Sequence, residues 1–326
     1  MKDGLARNLD YLRISITDRC NLRCAYCMPA TGVQVRKHDE ILRYEEIDRL
    51  IDVAVGLGFV HFRITGGEPL ARRGAAGFVA ELARRLPEQD LSLTTNGTLL
   101  APVAAELRAG GLCRVNISLD TLVPAKYSQI TRRDIWHEAW AGVEAALDAG
   151  FDPVKVNVVA VRGFNDDEVL DFAALTVERP LHVRFIELMP LGEGCAVPGG
   201  HIPGDEILAV LAAGGRLKPV AQGQLPAGAG PAAVYRWRDG LGTVGMITAM
   251  SHKFCAECNR MRLTADGRLE PCLGSEASFD LRGPLRSGAG DEELRAIFRQ
   301  AAAAKPECHH LESAGEARRK MFRIGG

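Results

Sequence analysis

Short apolar runs rich in β-branched residues alternate with longer stretches of helical periodicity through the first 190 residues of the chain. Stretches such as YEEIDRLIDVAVGLG and HEAWAGVEAALDAG predict amphipathic helices between the apolar runs. Because helical crossovers join parallel neighbours, the alternation predicts a parallel sheet. Six βα units are too few for a full eightfold barrel, so we predict an α/β fold built on a partial (βα)6 TIM-like barrel. The predicted strands are 12–17, 60–65, 91–95, 114–119, 154–159 and 182–187.

The composition changes after Met189, where segments rich in Gly, Pro and Ala predict connecting loops. Two strand-like runs follow, then a hairpin predicted to turn at Asp266-Gly267, then the helical stretch DEELRAIFRQAAAAK. We therefore predict a barrel domain over residues 1–200 and a C-terminal region over residues 201–326. Asn165 is predicted to cap the helix that follows the fifth strand.

Polar residues cluster where the predicted strands end. The runs are TDRC after the first strand, GGEP after the second, TNG after the third, SLD at the end of the fourth and ELMP at the end of the sixth. In a βα barrel the carboxyl ends of the strands meet at one rim, where loops carry the chemistry. The sequence therefore predicts an active site on this rim.

The cysteines point to metal chemistry rather than to disulfides. The chain has nine of them, a net charge of −1, no secretory or transit signal and no apolar run long enough to span a bilayer. These properties predict a cytoplasmic protein that binds neither nucleic acid nor membranes, a setting in which clustered cysteines hold metals. Six cysteines form two compact groups, whereas Cys113, Cys195 and Cys308 stand apart and receive no role.

The first group has the spacing Cys20-x3-Cys24-x2-Cys27. Structural zinc takes four ligands, so it would need His38 or a distant cysteine as well. A [4Fe–4S] cluster with three thiolates instead leaves one iron open to a small molecule. A buried helical stripe is the third reading, and Pro29 disfavours it.

This spacing after the first strand of a partial barrel resembles the signature of the radical S-adenosylmethionine (SAM) superfamily. The resemblance implies that SAM occupies the open iron and is cleaved to a 5′-deoxyadenosyl radical, which abstracts a hydrogen atom. The residues that it implies as cofactor contacts are Tyr26, Gly67, Ser118, Arg184 and Met189.

The second group, Cys255-x2-Cys258-x13-Cys272, also has three thiolates and no clear fourth ligand. Two incomplete sites suggest two [4Fe–4S] clusters, each with an open iron. Arg260 and Arg262 follow on a strand-like run, where alternation places both on one face beside the second cluster. Paired guanidinium groups suit a polyphosphate, and the alternative is a solvated charged strand.

Longer runs resemble the GTP 3′,8-cyclase family of molybdenum cofactor biosynthesis. They are LRISITDRCNLRCAYCMP, RITGGEPL, LTTNG, VNISLD, VKVNVV, RFIELMPLG, FCAECNRMRL and the terminal IGG. The resemblance implies that the radical takes the hydrogen from C3′ of GTP and that C3′ then attacks C8 of the guanine. It also implies that the second cluster binds the guanine.

Seven residues would hold the substrate by this resemblance, and two terminal glycines would enter the active site. Arg13 and Lys155 lie in otherwise apolar strands, where a cation is costly unless an anion pairs with it. Arg63 should point into the barrel with Thr65. The substrate residues are Arg13, Arg63, Thr94, Lys155, Arg260, Met261 and Arg262, and the tail glycines are Gly325 and Gly326.

The resemblance further implies a homodimer, an electron donor such as flavodoxin or ferredoxin, and a downstream cyclic pyranopterin monophosphate synthase. Two alternatives stay open. One is a radical SAM enzyme with an accessory cluster that modifies a peptide, although such enzymes carry more C-terminal cysteines. The other is a non-enzymatic iron–sulfur or zinc protein, which would leave the GGEP run and the buried cations without a purpose.

Overall fold

The computed structural model describes residues 1–33, 36–197, 200–228 and 230–311. In these ranges twelve strands form one sheet, and no helix is long and apolar enough to cross a membrane. The strands are β1 (Tyr11–Ser15), β2 (His61–Thr65), β3 (Asp90–Thr95), β4 (Arg114–Ser118), β5 (Val154–Ala160), β6 (Leu181–Glu187), β7 (Leu217–Pro219), β8 (Ala233–Trp237), β9 (Thr243–Ile247), β10 (Arg260–Leu263), β11 (Arg268–Glu270) and β12 (Phe279–Asp280). The α-helices are α1 (Tyr44–Gly56), α2 (Ala75–Arg85), α3 (Ala104–Ala109), α4 (Pro124–Thr131), α5 (Trp136–Asp148), α6 (Val169–Glu178), α7 (Gly204–Gly214), α8 (Arg282–Arg286) and α9 (Asp291–Ala303).

The strand order is β12-β11-β10-β1-β2-β3-β4-β5-β6-β9-β8-β7. The α/β class and all six predicted strands are confirmed, but the parallel part of the sheet is wider than predicted. β10 pairs in parallel with β1, and β9 pairs in parallel with β6, so eight neighbouring strands run in one direction. The sheet thus continues past residue 200, and the domain boundary there stays a prediction.

Alternation along the parallel strands separates a buried apolar face from a polar face. Ile14, Ile64 and Leu93 stand side by side on β1, β2 and β3 and are fully buried in the hydrophobic core. Arg13 and Arg63, one position earlier on their strands, point to the opposite face. Side chains from this second face line the cavity described below.

The ends of two helices differ in how well local preferences describe them. Gly150 follows α5 with a φ of 76°, the left-handed conformation expected after a helix. Asn165 does not cap α6, which begins four residues later at Val169. Its amide Nδ2 instead donates to the carbonyls of Asp120 (2.7 Å) and Val159 (2.9 Å). Tertiary contacts between the ends of β4 and β5 therefore outweigh the local capping preference of asparagine.

The predicted hairpin is present as the antiparallel pair β10–β11. Its turn contains Gly267, which has a φ of 80° and lies at the predicted position. Because β10 also pairs with β1, the hairpin places the residues after Cys258 directly against the first strand of the sheet.

Candidate active site

One large cavity is enclosed by the polar face of the sheet. Both cysteine groups line it, together with side chains from eight parallel strands. The sheet is therefore curved enough for strands as far apart as β10 and β9 to face the same space. One wall residue from each strand, in sheet order, is Arg260, Arg13, Arg63, Thr94, Ser118, Asn157, Arg184 and Ile247.

The first cysteine group lies in a tight turn beyond the carboxyl end of β1. The amides of Cys27 and Met28 both donate to the carbonyl of Cys24, at 2.9 and 3.0 Å. The amide of Leu22 approaches the Sγ of Cys20 at 3.4 Å. Burial raises the pKa of Cys20 to about 11 and that of Cys24 well above its usual value. The thiols of Cys20 and Cys24 are thus protonated at neutral pH, and a bound metal would have to displace their protons.

The GGEP loop is docked against the cysteine loop through its backbone. The amide of Gly67 donates to the carbonyl of Thr17, and that of Glu68 donates to the carbonyl of Arg19, both at 2.8 Å. A Cβ atom added at Gly67 would lie 2.3 Å from the Arg19 oxygen and 3.0 Å from the Cβ of Cys20. Glycine is thus required here by the cysteine loop itself, a reason that we did not anticipate from the sequence.

Glu68 links this loop to the end of β3. Its buried carboxylate accepts hydrogen bonds from Thr95 Oγ1 (2.8 Å), the amide of Asn96 (2.7 Å) and the amide of Leu70 (3.0 Å). Burial raises the pKa of Glu68 to about 7. The side chain of Asn96 in turn donates to Asn21 Oδ1 at 2.8 Å, next to Cys20. The ends of β2 and β3 therefore support the first cysteine group.

Tyr26 is held toward the ends of β4 and β5. Its hydroxyl donates to Asp120 Oδ2 at 2.6 Å, while the amide of Val159 donates to Asp120 Oδ1 at 2.8 Å. Burial raises the pKa of Asp120 to about 6. Ser118 and Met189 line the same cavity. The candidate cofactor contacts thus line one cavity together with the first cysteine group.

A row of arginines crosses the middle of the cavity wall. Arg262 on β10, Arg13 on β1 and Arg63 on β2 are direct register neighbours on adjacent parallel strands. Strands about 4.8 Å apart bring such cations close enough to repel by roughly 3 kcal/mol per neighbouring pair at an effective dielectric constant of ~20. Glu270, opposite Arg262 on β11, offsets part of this repulsion. Burial, together with the charges of Arg262 and Arg63, lowers the pKa of Arg13 well below its usual value.

The second cysteine group lies at the opposite end of the strands from the first. Cys258 precedes Arg260, which is paired with Tyr11 at the start of β1, whereas Cys20 follows the end of β1 at Ser15. Five residues of extended strand span roughly 13 Å. The arginine row therefore lies between two three-cysteine groups within a single cavity.

The thiols of the second group have unlike surroundings. Although burial acts to raise it, the pKa of Cys258 is lowered to about 7 by the charges of Arg260 and Lys305. Burial and the thiol of Cys308 raise the pKa of Cys255. Cys308 received no role from the sequence, yet the fold brings its thiol close enough to Cys255 to affect the pKa of that residue.

Two predicted substrate residues are absent from the part of the cavity wall that the structure describes. Met261 is buried in the hydrophobic core on the other face of β10. Lys155 is fully buried, and its Nζ donates to the carbonyls of Ala227 and Gly228. Burial lowers the pKa of Lys155 to about 5, with a further contribution from Arg184. Backbone carbonyls thus offset part of the cost of burying this side chain, which we had expected an anionic ligand to offset.

Comparison with known proteins identifies the family. Residues 14–176 match the Radical SAM superfamily, and residues 181–311 match Molybdenum Cofactor Synthesis C. The GTP 3′,8-cyclase of Moorella thermoacetica is 52% identical over 326 residues, with 100% of each chain covered. The chain belongs to the GTP 3′,8-cyclase family. The enzyme of the same name from Pelotomaculum thermopropionicum is 49% identical over 327 residues, again with 100% of each chain covered.

Solved structures support the fold of this family member. Streptococcus suis SuiB bound to S-adenosylmethionine has a TM-score of 0.60 at 13% identity, covering 90% of this chain and 66% of that one. SuiB bound to the precursor peptide SuiA has a TM-score of 0.60 at 14% identity, covering 82% of this chain and 60% of that one. At such low identity the likeness shows the radical SAM fold alone.

Membership of this superfamily implies a [4Fe–4S] cluster and SAM, and the donor set fits both. In the described residues, no three His, Cys, Asp or Glu side chains are grouped to hold one metal ion. The thiols that hold a cluster can lie farther apart than the ligands of one metal ion, because each thiol binds a different iron. Thr94 Oγ1 and Asn157 Oδ1 are buried in the cavity wall without a hydrogen-bond partner in the described structure, as expected where a polar ligand binds.

Two of the predicted site residues lie outside the described ranges, and three residues of the site could not be assigned from the sequence. Gly325 and Gly326 belong to the first case, so their role in the active site stays a prediction. Asp120 and Asn96 were visible only as polar strand-end residues, without partners. Lys305 gave no signal at all, because a lysine at the end of an alanine-rich helix is ordinarily solvated.

Proposed function

We propose that this family member converts GTP to (8S)-3′,8-cyclo-7,8-dihydroguanosine 5′-triphosphate, the first step of molybdenum cofactor biosynthesis. The observation that carries the proposal is the row of Arg262, Arg13 and Arg63 between two three-cysteine groups in one cavity. Neighbouring guanidinium groups attract an anion, and each can bind phosphate oxygens through two parallel hydrogen bonds. A nucleoside triphosphate supplies that anion, and its base can extend toward the second cysteine group.

The curved sheet is then the predicted partial barrel, with the radical chemistry at the carboxyl ends of its strands. When bound there, the first cluster and SAM supply the 5′-deoxyadenosyl radical that abstracts the substrate hydrogen. Cys20, Cys24 and Cys27 would hold this cluster. The side chains and backbone that would orient SAM are those of Tyr26, Gly67, Ser118, Arg184 and Met189.

At the other end of the strands, Cys255, Cys258 and Cys272 would hold a second [4Fe–4S] cluster against the guanine. Thr94 offers its free hydroxyl to the substrate between the two ends. Orienting the base against the ribose is the main task of this half of the cavity, because ring closure requires C8 to lie near C3′. Lys155 acts from beneath the wall, by fixing the carbonyls of Ala227 and Gly228.

Four expectations remain predictions, the first from composition and the other three from the family resemblance. They are a cytoplasmic location, a homodimer, flavodoxin or ferredoxin as electron donor, and a cyclic pyranopterin monophosphate synthase as the next enzyme.

The proposal predicts a substrate-dependent product. Anaerobically reconstituted protein incubated with SAM and dithionite should form 5′-deoxyadenosine together with a cyclised nucleotide when GTP is present. ATP and a test peptide serve as matched controls and should give no cyclised or modified product. Chromatography with mass spectrometry measures all three, and peptide modification without nucleotide cyclisation would overturn the assignment to GTP.

Replacing Arg260 by alanine should weaken GTP binding by about 1.5–3 kcal/mol, the usual worth of a hydrogen bond to a charged group. Arg260 lines the cavity beside the second cysteine group and stacks over Phe254 at 4.9 Å. Its loss should leave the iron content unchanged, because its side chain binds no cluster. Equilibrium binding of GTP by calorimetry, alongside iron analysis, measures both effects.

Arg268→Ala is the matched control for this variant. Arg268 lies on the same hairpin, is exposed, and donates to Ser278 at 2.7 Å away from the cavity. Its replacement should leave GTP affinity unchanged. Equal GTP affinities in the two variants would mean that Arg260 belongs to a solvated charged strand, the alternative considered in the sequence analysis.

A further inference from the structure

Lys305 is a buried lysine that the proposed chemistry leaves unused. It follows α9 by two residues, is 6% exposed and lines the cavity next to the second cysteine group. Its Nζ donates to Cys258 Sγ at 3.5 Å, to the carbonyl of Arg260 at 2.7 Å and to the carbonyl of Pro271 at 2.7 Å. Pro271 directly precedes Cys272, so one side chain joins two cysteine-bearing segments.

The three acceptors identify the charge state of this side chain. With a cluster bound, Cys258 is a thiolate that only accepts hydrogen bonds, so all three neighbours of Nζ are acceptors. An ammonium group then serves all three, whereas a neutral amine has two hydrogens and would leave one acceptor unserved. A buried cation is costly without an anion, and none of the acceptors described for Lys305 is a carboxylate. Among these three atoms, only the sulfur of Cys258 can carry a negative charge.

The segment that carries Lys305 is itself fixed to Cys255, the remaining cysteine of the second group. Arg7 donates to the carbonyl of Cys255 at 2.8 Å and to the carbonyls of Pro306 and Glu307 at 2.8 and 3.0 Å. It also pairs with Asp3 at 2.6 Å. The ammonium is therefore held in place from both sides and cannot swing into solvent without breaking these contacts.

We propose that Lys305 is a positioning residue for the second cluster, which fixes the Cys258 and Cys272 segments and raises the cluster's reduction potential. The proposal rests on the proposed function, since it requires a cluster on Cys255, Cys258 and Cys272. One electron takes such a cluster from the 2+ to the 1+ state, and the electron comes from the external reductant. A nearby cation favours the more negative, reduced state, and hydrogen bonds to ligating sulfur act in the same direction.

The test uses the full-length chain with Cys20, Cys24 and Cys27 replaced by alanine, so that the second cluster alone gives a signal. In this parent, Lys305→Met should shift the ratio of oxidised to reduced cluster about tenfold at a fixed potential, which is a midpoint about 59 mV more negative. Redox titration monitored by electron paramagnetic resonance measures the shift. Iron loss to a chelator should also become several-fold faster.

Two further variants separate charge from packing. Lys305→Arg keeps the charge and should hold the midpoint near that of the parent. Lys253→Met is the matched control, because Lys253 is an exposed lysine whose Nζ donates to a backbone carbonyl, that of His309 at 3.4 Å. It should change neither the midpoint nor the rate of iron loss.

An unchanged midpoint and an unchanged rate of iron loss in Lys305→Met would overturn the proposal. If Lys305→Met fails to assemble the cluster, assembly in Lys305→Arg supports the role of the charge, whereas equal failure of both overturns it. A parent that binds no cluster, or binds zinc, shows instead that the proposed second cluster is wrong, and this result appears before any Lys305 variant is made.

Discussion

Replacing Cys20, Cys24 and Cys27 together by alanine should halve the iron of the anaerobically reconstituted protein, from about eight to about four atoms per chain. The same change should abolish 5′-deoxyadenosine formation. All three thiols line the cavity, and each would bind one iron of the first cluster. The second group lies at the other end of β1, so its four irons should be retained. Iron analysis and chromatography of the nucleoside measure the two outcomes.

Cys113→Ala is the control for this triple variant. Cys113 is an exposed cysteine whose Sγ donates to the carbonyl of Gly111 at 3.4 Å, outside the described cavity wall. Its loss should alter neither iron content nor cleavage of SAM. Wild-type protein isolated with zinc at both sites and no iron would contradict the assignment of clusters.

The sheet and its functional rim were predictable because their signals are local. Strand periodicity identified the strands that carry Arg13 and Arg63, and period-two alternation placed Arg63 on the face that lines the cavity. The Cys20-x3-Cys24-x2-Cys27 spacing is likewise a property of eight consecutive positions. Such patterns can be recognised without knowing which segments of the chain contact one another in the fold.

What escaped prediction depends on contacts between distant segments. The parallel pairing of β10 with β1 joins residues about 250 positions apart, and no periodicity encodes it. The hydrogen bond from Lys305 to Cys258 and the side-chain contacts of Asn165 arise in the same way. Local rules gave Asn165 a capping role because they cannot take account of Asp120, 45 residues earlier.

Gly67→Ala should reduce the rate of 5′-deoxyadenosine formation by about 100-fold, the loss expected when reacting groups are misplaced by about 1 Å. The added Cβ would meet the carbonyl of Arg19 at 2.3 Å, about 1 Å closer than a tight non-bonded contact allows. This carbonyl also accepts the amide of Glu68, so the cysteine loop and the GGEP loop must separate together. The separation moves Cys20 away from the other two thiols and enlarges the space meant for SAM.

The same variant tests whether the two ends of the cavity act separately. The arginine row lies at the middle of β1 and the second cysteine group beyond its other end. GTP affinity should therefore stay within about twofold of the wild-type value, a difference below 0.5 kcal/mol. Gly77→Ala is the matched control, because a Cβ on this exposed residue of α2 meets nothing within 4 Å. Alanine there should leave SAM cleavage unchanged and stabilise the helix by roughly 0.5–1 kcal/mol. Full-rate cleavage in Gly67→Ala would mean that the two loops relax around the methyl group, and that their close approach does not position the first cluster.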